Sequence, residues 1–319
     1  MGPMVAAVTS VDASTRLERR DRLTDAEVRE VLRLVDEVTD ADGVRPLSEH
    51  VMLHLRYGGD APAHNLLVWS GDLLSGYAHL DVTDVVEGPS AEVVVRGEAR
   101  RSGLGRLLVE ALLADSPDGR MRLWAHGQQT LDSAAALAHA MGFHRERVLW
   151  QMRRSLFAPL PAPDLPAGVS VRTFVVGQDE AAWVEVNNRA FADHPDQGQW
   201  TIADLRTRER EPWFDAAGFF LAERAGRLVG FHWTKVHGAG ANGAHDHEPI
   251  GEVYVVGVDP SAQGQRLGPA LTLIGLRHLR ARGLSQAMLY VDESNTNAIK
   301  VYEALSFARW DIDVCFRTG

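Results

Sequence analysis

Two segments of this chain follow one plan, half a chain apart. Residues 92–105 (EVVVRGEARRSGLG) and 251–268 (GEVYVVGVDPSAQGQRLG) each run from a carboxylate-headed apolar strand through a glycine-bearing loop into a helix. Their landmarks keep nearly constant spacing: Glu92 and Glu252 lie 160 positions apart, Gly105 and Gly268 lie 163 apart, and Phe143 and Phe307 lie 164 apart. So small a drift through several elements marks an internal duplication. The chain is therefore held to two copies of one α/β fold.

The remaining periodicity fits that plan. Val28, Val31, Leu32, Val35 and Val38 share one helical face, which predicts a helix over 23–40 with Thr24 as N-cap and Glu27 completing a capping box. A short helix is expected at 48–55. Strands are expected at 65–69, 77–80, 91–95, 121–125 and 148–152, with helices at 104–113 and 132–140. Residues 155–168 carry Pro159, Pro161, Pro163 and Pro166, which lack amide donors and favour extended chain, so a linker is expected there. The order then repeats, with strands at 169–174, 219–223, 228–236, 252–258, 287–291 and 312–316 and helices at 180–191, 268–282 and 297–305. The domain plan is a flexible leader 1–22, a first domain 23–154, the linker 155–168 and a second domain 169–319.

At 319 residues the chain is long enough for two cores of ordinary size. A net charge of −10 opposes general nucleic-acid binding, which needs a positive surface to displace counterions. It does not oppose one small anion held by backbone amides. There is no apolar run of the ~18 residues that a membrane span needs, and the first 22 residues lack the apolar centre of a signal peptide. The expectation is a cytoplasmic monomer with no membrane or nucleic-acid partner. The single cysteine, Cys315, excludes an internal disulfide and, lying in an apolar run, reads as a buried structural thiol. His245 and His247, with Asp246 and Glu248, sit in a Gly/Ala-rich stretch with nothing to fix their geometry, so a polar loop and no metal is expected. No G-x-S-x-G elbow supports a serine nucleophile.

The loop Arg100-Arg101-Ser102-Gly103-Leu104-Gly105 stands between strand and helix, where glycines let successive amides converge on an anion and the helix N-terminus adds positive potential. The GKS/GKT ending of a nucleotide P-loop is absent, as is a dinucleotide fingerprint. The order strand, Arg-x-x-Gly-x-Gly, helix resembles the pyrophosphate loop of the GCN5-related N-acetyltransferases, whose ligand is coenzyme A. The second loop, Gln263 to Gly268, places Arg266 where Gly103 stands, and Gly264 reads as out of register.

Acetyl transfer to an amine needs a base for the ammonium and an acid for the departing thiolate. Glu252 at the head of its strand and Tyr302 in NAIKVYEAL supply those two groups, and an amide near Val256 can stabilise the oxyanion. The first copy keeps Glu92 but has Ala138 at the position matching Tyr302. The expectation is that the N-terminal half binds coenzyme A while the C-terminal half performs the chemistry.

Five blocks narrow the resemblance: WAHG from Trp124, NNRAFADHPDQGQWT from Asn187, GFHWTKVH from Gly230, GEVYVVGVDP from Gly251 and LYVDESNTNAIKVYEALSF from Leu289. Over residues 23–317 the chain resembles the mycothiol synthase family. That resemblance implies two tandem GCN5-related N-acetyltransferase domains, each a mixed, mostly antiparallel sheet flanked by helices, the C-terminal one catalytic. It implies acetyl-CoA as cosubstrate, no metal, and a small thiol-sugar acceptor, the cysteinyl amine of cysteinyl-glucosaminyl-inositol. It implies substrate contacts from Glu49, Asp196, Lys235, Glu252 and Tyr290. For acetyl-CoA it implies Val93, Val94 and Val95 with Arg101, Ser102, Gly103, Leu104, Gly105 and Arg106 in the first copy. In the second it implies Val256, Gly257 and Val258, then Gln263, Gly264, Gln265, Arg266, Leu267, Gly268 and Pro269, then Asn295, Thr296, Asn297, Ala298, Ile299 and Lys300. Three departures from the family pattern stand out: Asp196 where relatives often have Glu, Arg266 for glycine, and Ser306 for glycine at a helix end. Two alternatives are an acetyltransferase for another small amine and a non-catalytic acetyl-CoA sensor; the retained Glu252 and Tyr302 oppose the second.

Overall fold

The computed structural model describes residues 14–58, 63–83, 88–192, 198–237 and 249–319, with Gln129 and Thr130 described in the backbone alone. The first half forms β1 (Thr15–Arg20), α1 (Asp25–Asp42), α2 (Glu49–Tyr57), β2 (Ala63–Ser70), β3 (Leu73–Asp81), β4 (Ser90–Val95), α3 (Leu104–Asp115), β5 (Arg122–His126), α4 (Gln128–Ala140) and β6 (Phe143–Ser155). The second forms β7 (Val169–Thr173), α5 (Glu180–Ala190), α6 (Ile202–Glu209), β8 (Phe219–Arg224), β9 (Arg227–His237), β10 (Ile250–Val258), α7 (Leu267–Ala281), β11 (Gln286–Asp292), α8 (Thr296–Ala304) and β12 (Ala308–Thr318). The Thr24/Glu27 capping box is present at the start of α1, and Gly43 ends the helix in the left-handed region that glycine enters without side-chain strain.

Two elements lie outside the expected list. β1 falls in what reads as a leader, because TRLERR is charged at Arg16, Glu18, Arg19 and Arg20 with few apolar residues; it pairs antiparallel with β2 along its whole length. α6 opens on Thr201, whose hydroxyl accepts from the Asp204 amide while the Asp204 carboxylate accepts from the Thr201 amide. That T-x-x-D capping box was available in the sequence.

The chain divides into two units, one of Met1–Val148 with Ile312–Gly319 and the other of Leu149–Asp311. This division differs from the plan drawn from the prolines. In unit 1, β1 to β4 run as an antiparallel meander, β4 pairs parallel with β5, and the closing strand against β5 is residues 313–317 of β12. In unit 2, β7 to β10 repeat the meander, β10 pairs parallel with β11, and the closing strand against β11 is residues 149–155 of β6. Each unit is thus closed by a strand from the other half of the sequence. The proline segment carries no helix or strand, as expected, but it is anchored to unit 2. Leu156 and Leu160 enter its core, and the Arg277 guanidinium bonds the carbonyls of Leu160 and Pro161 at 3.3 and 3.4 Å.

The parallel contacts are short. β4 meets β5 only at residues 90–92, and β10 meets β11 only at Gly251↔Ala287 and Glu252↔Met288. Past Glu92 and Glu252 the strands part, and one backbone edge of each is left without a ladder partner.

The meander is held from both faces in unit 2. On one, Trp183 of α5 meets Trp200, Phe219, Phe231 and Trp233 edge-on at centroid distances of 5.2 to 5.8 Å, a geometry that adds to the burial of apolar area. On the other, α7 packs Leu267, Leu271, Leu276 and Leu279 inward. Gly275 lets α7 approach the buried His232, since a Cβ there would lie 2.1 Å from the imidazole. Burial holds the His232 pKa down to about 4, so the ring is neutral, and its Nδ1 bonds the Leu271 carbonyl at 2.7 Å. Gly275→Ala should therefore lower stability by about 1–3 kcal/mol through overpacking, read as a lower urea midpoint.

Candidate active site

In unit 2 the carboxylate of Glu252 sits at the last paired position before β10 leaves β11, and it is buried. Its Oε2 lies 2.6 Å from Nε2 of His237. Lys235 stands opposite it in the β9 ladder, also buried, with its ammonium over the rings of Trp213 and Tyr254 at 4.5 and 5.1 Å. Tyr254 is the extra residue of a bulge: Val253 faces Thr234 and Val255 faces Trp233, so two steps on β10 oppose one on β9. A bulge re-aims the strand and its amides. With the parting from β11, it leaves β10 beyond Glu252 with a backbone edge suited to an extended ligand. Val256 and Val258 are half-buried, and Gly257 is packed so tightly that a Cβ would lie 2.7 Å from the Phe231 ring.

The loop ahead of α7 corrects the sequence reading of its glycines. Gly264 and Arg266 both adopt positive φ, at 75° and 63°, and in the first loop Arg101 and Gly103 do the same, at 61° and 93°. The two pairs match position by position. Each loop has two left-handed residues with a single residue between them, one a glycine and one an arginine in opposite order, so Gly264 is in register with Arg101 and Arg266 with Gly103. The amides of Gly264, Gln265, Arg266, Leu267 and Gly268 make no hydrogen bond within the described residues, nor do those of residues 101–106. Each row of donors ends at a helix N-terminus, the arrangement that binds phosphate oxygens. Arg266 leaves this row intact, although a non-glycine residue in the left-handed region costs roughly 1–2 kcal/mol.

Tyr302 occupies the last turn of α8, which ends in a Schellman motif: the Phe307 amide bonds the Tyr302 carbonyl at 3.0 Å and the Ser306 amide bonds that of Glu303 at 2.8 Å. Ser306 takes φ 64°, where Gly142 of the other unit takes 82°. The phenol ring meets Phe307 edge-on at 5.9 Å, so the helix end and the ring contact fix its place. Burial pushes its pKa up to about 12, which keeps the proton on the phenol at neutral pH.

The other implied residues divide into groups. The half-exposed Tyr290 on β11 has its hydroxyl accepting from the Gln151 amide at 2.8 Å. Glu49 lies in the first turn of α2 in unit 1, and Asp196 lies outside the described residues, as do His245 and His247. Val94, Leu104 and Leu267 commit their side chains to cores, while Val93 and Val95 are half-buried. Asn295 uses its side-chain oxygen to cap α8 at the Ala298 amide, and Thr296, Asn297 and Lys300 are exposed beside it. The side chain of Ile299 is core and its amide bonds the Asn295 carbonyl. Cys315 is buried, and burial with the nearby Glu146 pushes its thiol up to about 12. Among the described residues no group of three or more His, Cys, Asp or Glu is placed to hold a metal ion.

Unit 1 repeats the scaffold with different groups around the matched carboxylate. β4 pairs with β3 in unbroken register, so there is no bulge. Ala138 stands where Tyr302 does and is fully buried. Glu92 accepts from the Ser48 amide at 2.6 Å and meets His126 Nε2 at 3.4 Å, while His126 Nδ1 meets Asp313 at 3.2 Å. Burial by itself would lower the imidazole's proton affinity; the two carboxylates outweigh it and raise the pKa to about 10. Burial likewise opposes ionised Glu92, but His126 and Ser48 keep its carboxyl below the ordinary value. His79, opposite Glu92, is driven to about 3 by burial first and His54 second. Glu92 is therefore locked as a structural anion. The sequence reading did not assign His126 or His237 a role, although both lie in the quoted blocks WAHG and GFHWTKVH.

Residues 182–307 match the Acetyltransferase (GNAT) family. The mycothiol acetyltransferase of Acidothermus cellulolyticus is 58% identical over 98% of this chain and 97% of its own length. That of Streptosporangium roseum is 55% identical over 95% of this chain and 99% of its own. Among solved structures, a GCN5-related N-acetyltransferase from Sphaerobacter thermophilus superposes with a TM-score of 0.68 at 25% identity, covering 97% of this chain and 96% of its own. A tandem GNAT protein from the clavulanic acid biosynthesis pathway shares the fold with a TM-score of 0.72 at 20% identity, over 95% of this chain and 98% of its own.

Arg266→Gly should raise stability by about 1 kcal/mol by removing left-handed strain, read from the urea midpoint. His126 has a folded pKa above its unfolded value near 6.5, so its stabilisation is complete below pH 6.5 and is lost as pH rises through about 10. His126→Gln should abolish that pH slope in thermal melts between pH 6.5 and 10.

Proposed function

Because the chain belongs to the mycothiol acetyltransferase family, we propose that it acetylates the cysteinyl amine of cysteinyl-glucosaminyl-inositol and that unit 2 performs the chemistry. It is an acyltransferase of tandem GNAT fold, with acetyl-CoA as cosubstrate. The observation that carries the division of labour is the contrast at matched carboxylates. Glu252 heads a bulged, parting strand in the unit with Tyr302 at its helix end, whereas Glu92 is locked between Ser48 and His126 in a unit with Ala138 at the matching position.

In this reading the amides of residues 264–268 hold the pyrophosphate, and the edge of β10 beyond Glu252 aligns the pantetheine arm as an added strand. Glu252 takes a proton from the cysteinyl ammonium, and the amine attacks the thioester carbonyl. An amide of the bulged strand near Val256 stabilises the oxyanion, since donors fixed in advance need not reorganise as charge develops. Tyr302, protonated at neutral pH, gives its proton to the departing thiolate. Lys235, Tyr290 and Asp196 are assigned to the hydroxyl-rich acceptor. The acceptor's own thiol is a competing nucleophile, so selectivity for the amine rests on orientation.

Unit 1 is assigned coenzyme A binding without turnover, because its loop offers the same row of amides. No helix among the described residues is long and apolar enough to cross a membrane; we place the enzyme in the cytoplasm, acting as a monomer without nucleic acid.

Glu252→Gln should lower kcat by about 10²–10⁴-fold, the usual worth of a positioned base, with coenzyme A binding retained in calorimetry. Tyr302→Phe should lower it by roughly tenfold, because water can partly replace the acid. Product is read by mass, since the acceptor carries a thiol of its own. Unchanged turnover in Glu252→Gln would remove the base assignment.

A further inference from the structure

We propose that His237 is the proton outlet of the active site, carrying to solvent the proton that Glu252 removes from the amine; this rests on Glu252 being the base. Proton balance makes an outlet necessary. Converting an ammonium and a thioester into an amide and a thiol forms one C–N bond and breaks one C–S bond. The nitrogen gives up two protons, the departing sulfur takes one, and the other must leave for solvent in every turnover.

Glu252 is poorly placed to release that proton directly. Its side chain is 8% exposed, whereas that of His237 is 26% exposed, and the two touch at 2.6 Å between Oε2 and Nε2. The pair spans the step from buried site to solvent. Imidazole suits the task because it accepts at one ring nitrogen and releases at the other, near neutral pH. The local fold fixes the pair: β9 and β10 are antiparallel, with Glu252 opposite Lys235 and Ile250 opposite His237, so the imidazole lies one pleat beyond the lysine along β9. On the other side of Glu252 the facing residue of β11 is the uncharged Met288. Lys235, with its ammonium over Trp213 and Tyr254, is the cation facing the pair from β9.

Unit 1 shows the same two groups arranged for the opposite purpose. His126 also meets the matched carboxylate, Glu92, but its side chain is 11% exposed and its second nitrogen is bound to Asp313. An imidazole clamped by two carboxylates keeps its proton. His237 comes from a different strand, β9 instead of β5, and lies at the strand end.

The test uses the full-length enzyme with acetyl-CoA and cysteinyl-glucosaminyl-inositol. His237→Ala and His237→Gln should both lower kcat by about ten- to a hundredfold, within the range of proton-transfer effects. The KM for acetyl-CoA should stay unchanged and the acidic limb of the pH–kcat profile should shift. Free imidazole should restore part of the His237→Ala rate. Should His237→Ala fail to fold, as judged by its thermal melt and coenzyme A binding, His237→Gln carries the test, since it keeps a hydrogen-bond donor beside Glu252. A His237→Gln enzyme with wild-type kcat and pH profile overturns the relay, as does a slow His237→Ala enzyme that folds but is untouched by imidazole. Glu252→Gln separates the two levels: full activity there removes the base itself, while an inactive Glu252→Gln beside a fully active His237→Gln removes only the outlet.

Discussion

Two residue pairs of parallel ladder, Gly251↔Ala287 and Glu252↔Met288, hold β10 to β11 before the strands part. That brief contact organises unit 2. It places a carboxylate at the mouth of the opening, and beyond it leaves one edge of β10 with backbone groups that have no strand to pair with. A buried, unpaired backbone edge is costly in a folded protein, and it is tolerated where a ligand completes the ladder. The bulge at Tyr254, the left-handed turns at Gly264 and Arg266 and the N-terminus of α7 all lie along the same path. Their common property is that each is a feature of the backbone and not of a side chain. This explains why a loop with arginine at one left-handed position keeps the same row of amides as one with glycine there.

The two units share the scaffold, and they diverge in how each treats its buried charge. In unit 1, His126 lies between two carboxylates, Glu92 and Asp313, and the Ser48 amide at the N-cap of α2 donates to Glu92. Removing the imidazole would leave two carboxylates without their shared cation in low dielectric, so the cluster contributes order. In unit 2 the matched carboxylate has an imidazole that is partly open to water. The same pairing of residue types is held by a second carboxylate in one unit and partly open to water in the other.

Local signals were legible because they depend on near neighbours. The Thr24/Glu27 box, the helical face of α1, the hairpins and the repeated strand–loop–helix plan are all set by spacings of a few residues. α6 was equally local and was missed only because its Thr201/Asp204 box was not read. β1 is hidden for a physical reason: a strand charged at Arg16, Glu18, Arg19 and Arg20 resembles a polar tail until β2 is known to pair with it. For the site, Glu252 and Tyr302 are named from the chemistry of their segments, while the bulge, the Lys235 cage and the two imidazole contacts are not legible there, since each joins residues from different strands or loops.

The sequence by itself determined the duplication, the order of elements in each half and the presence of a carboxylate in both halves, with Tyr302 in one and Ala138 at the matching position of the other, because these follow from spacing and residue type. Tertiary structure decided which strand closes which unit. Residues 148–152 and 312–316 encode strands but not partners, and β6 closes the second unit while β12 closes the first. It also decided that the imidazole beside Glu92 is held by a second carboxylate while the one beside Glu252 is more open to water, since exposure and a carboxylate from a distant strand are properties of the assembled chain.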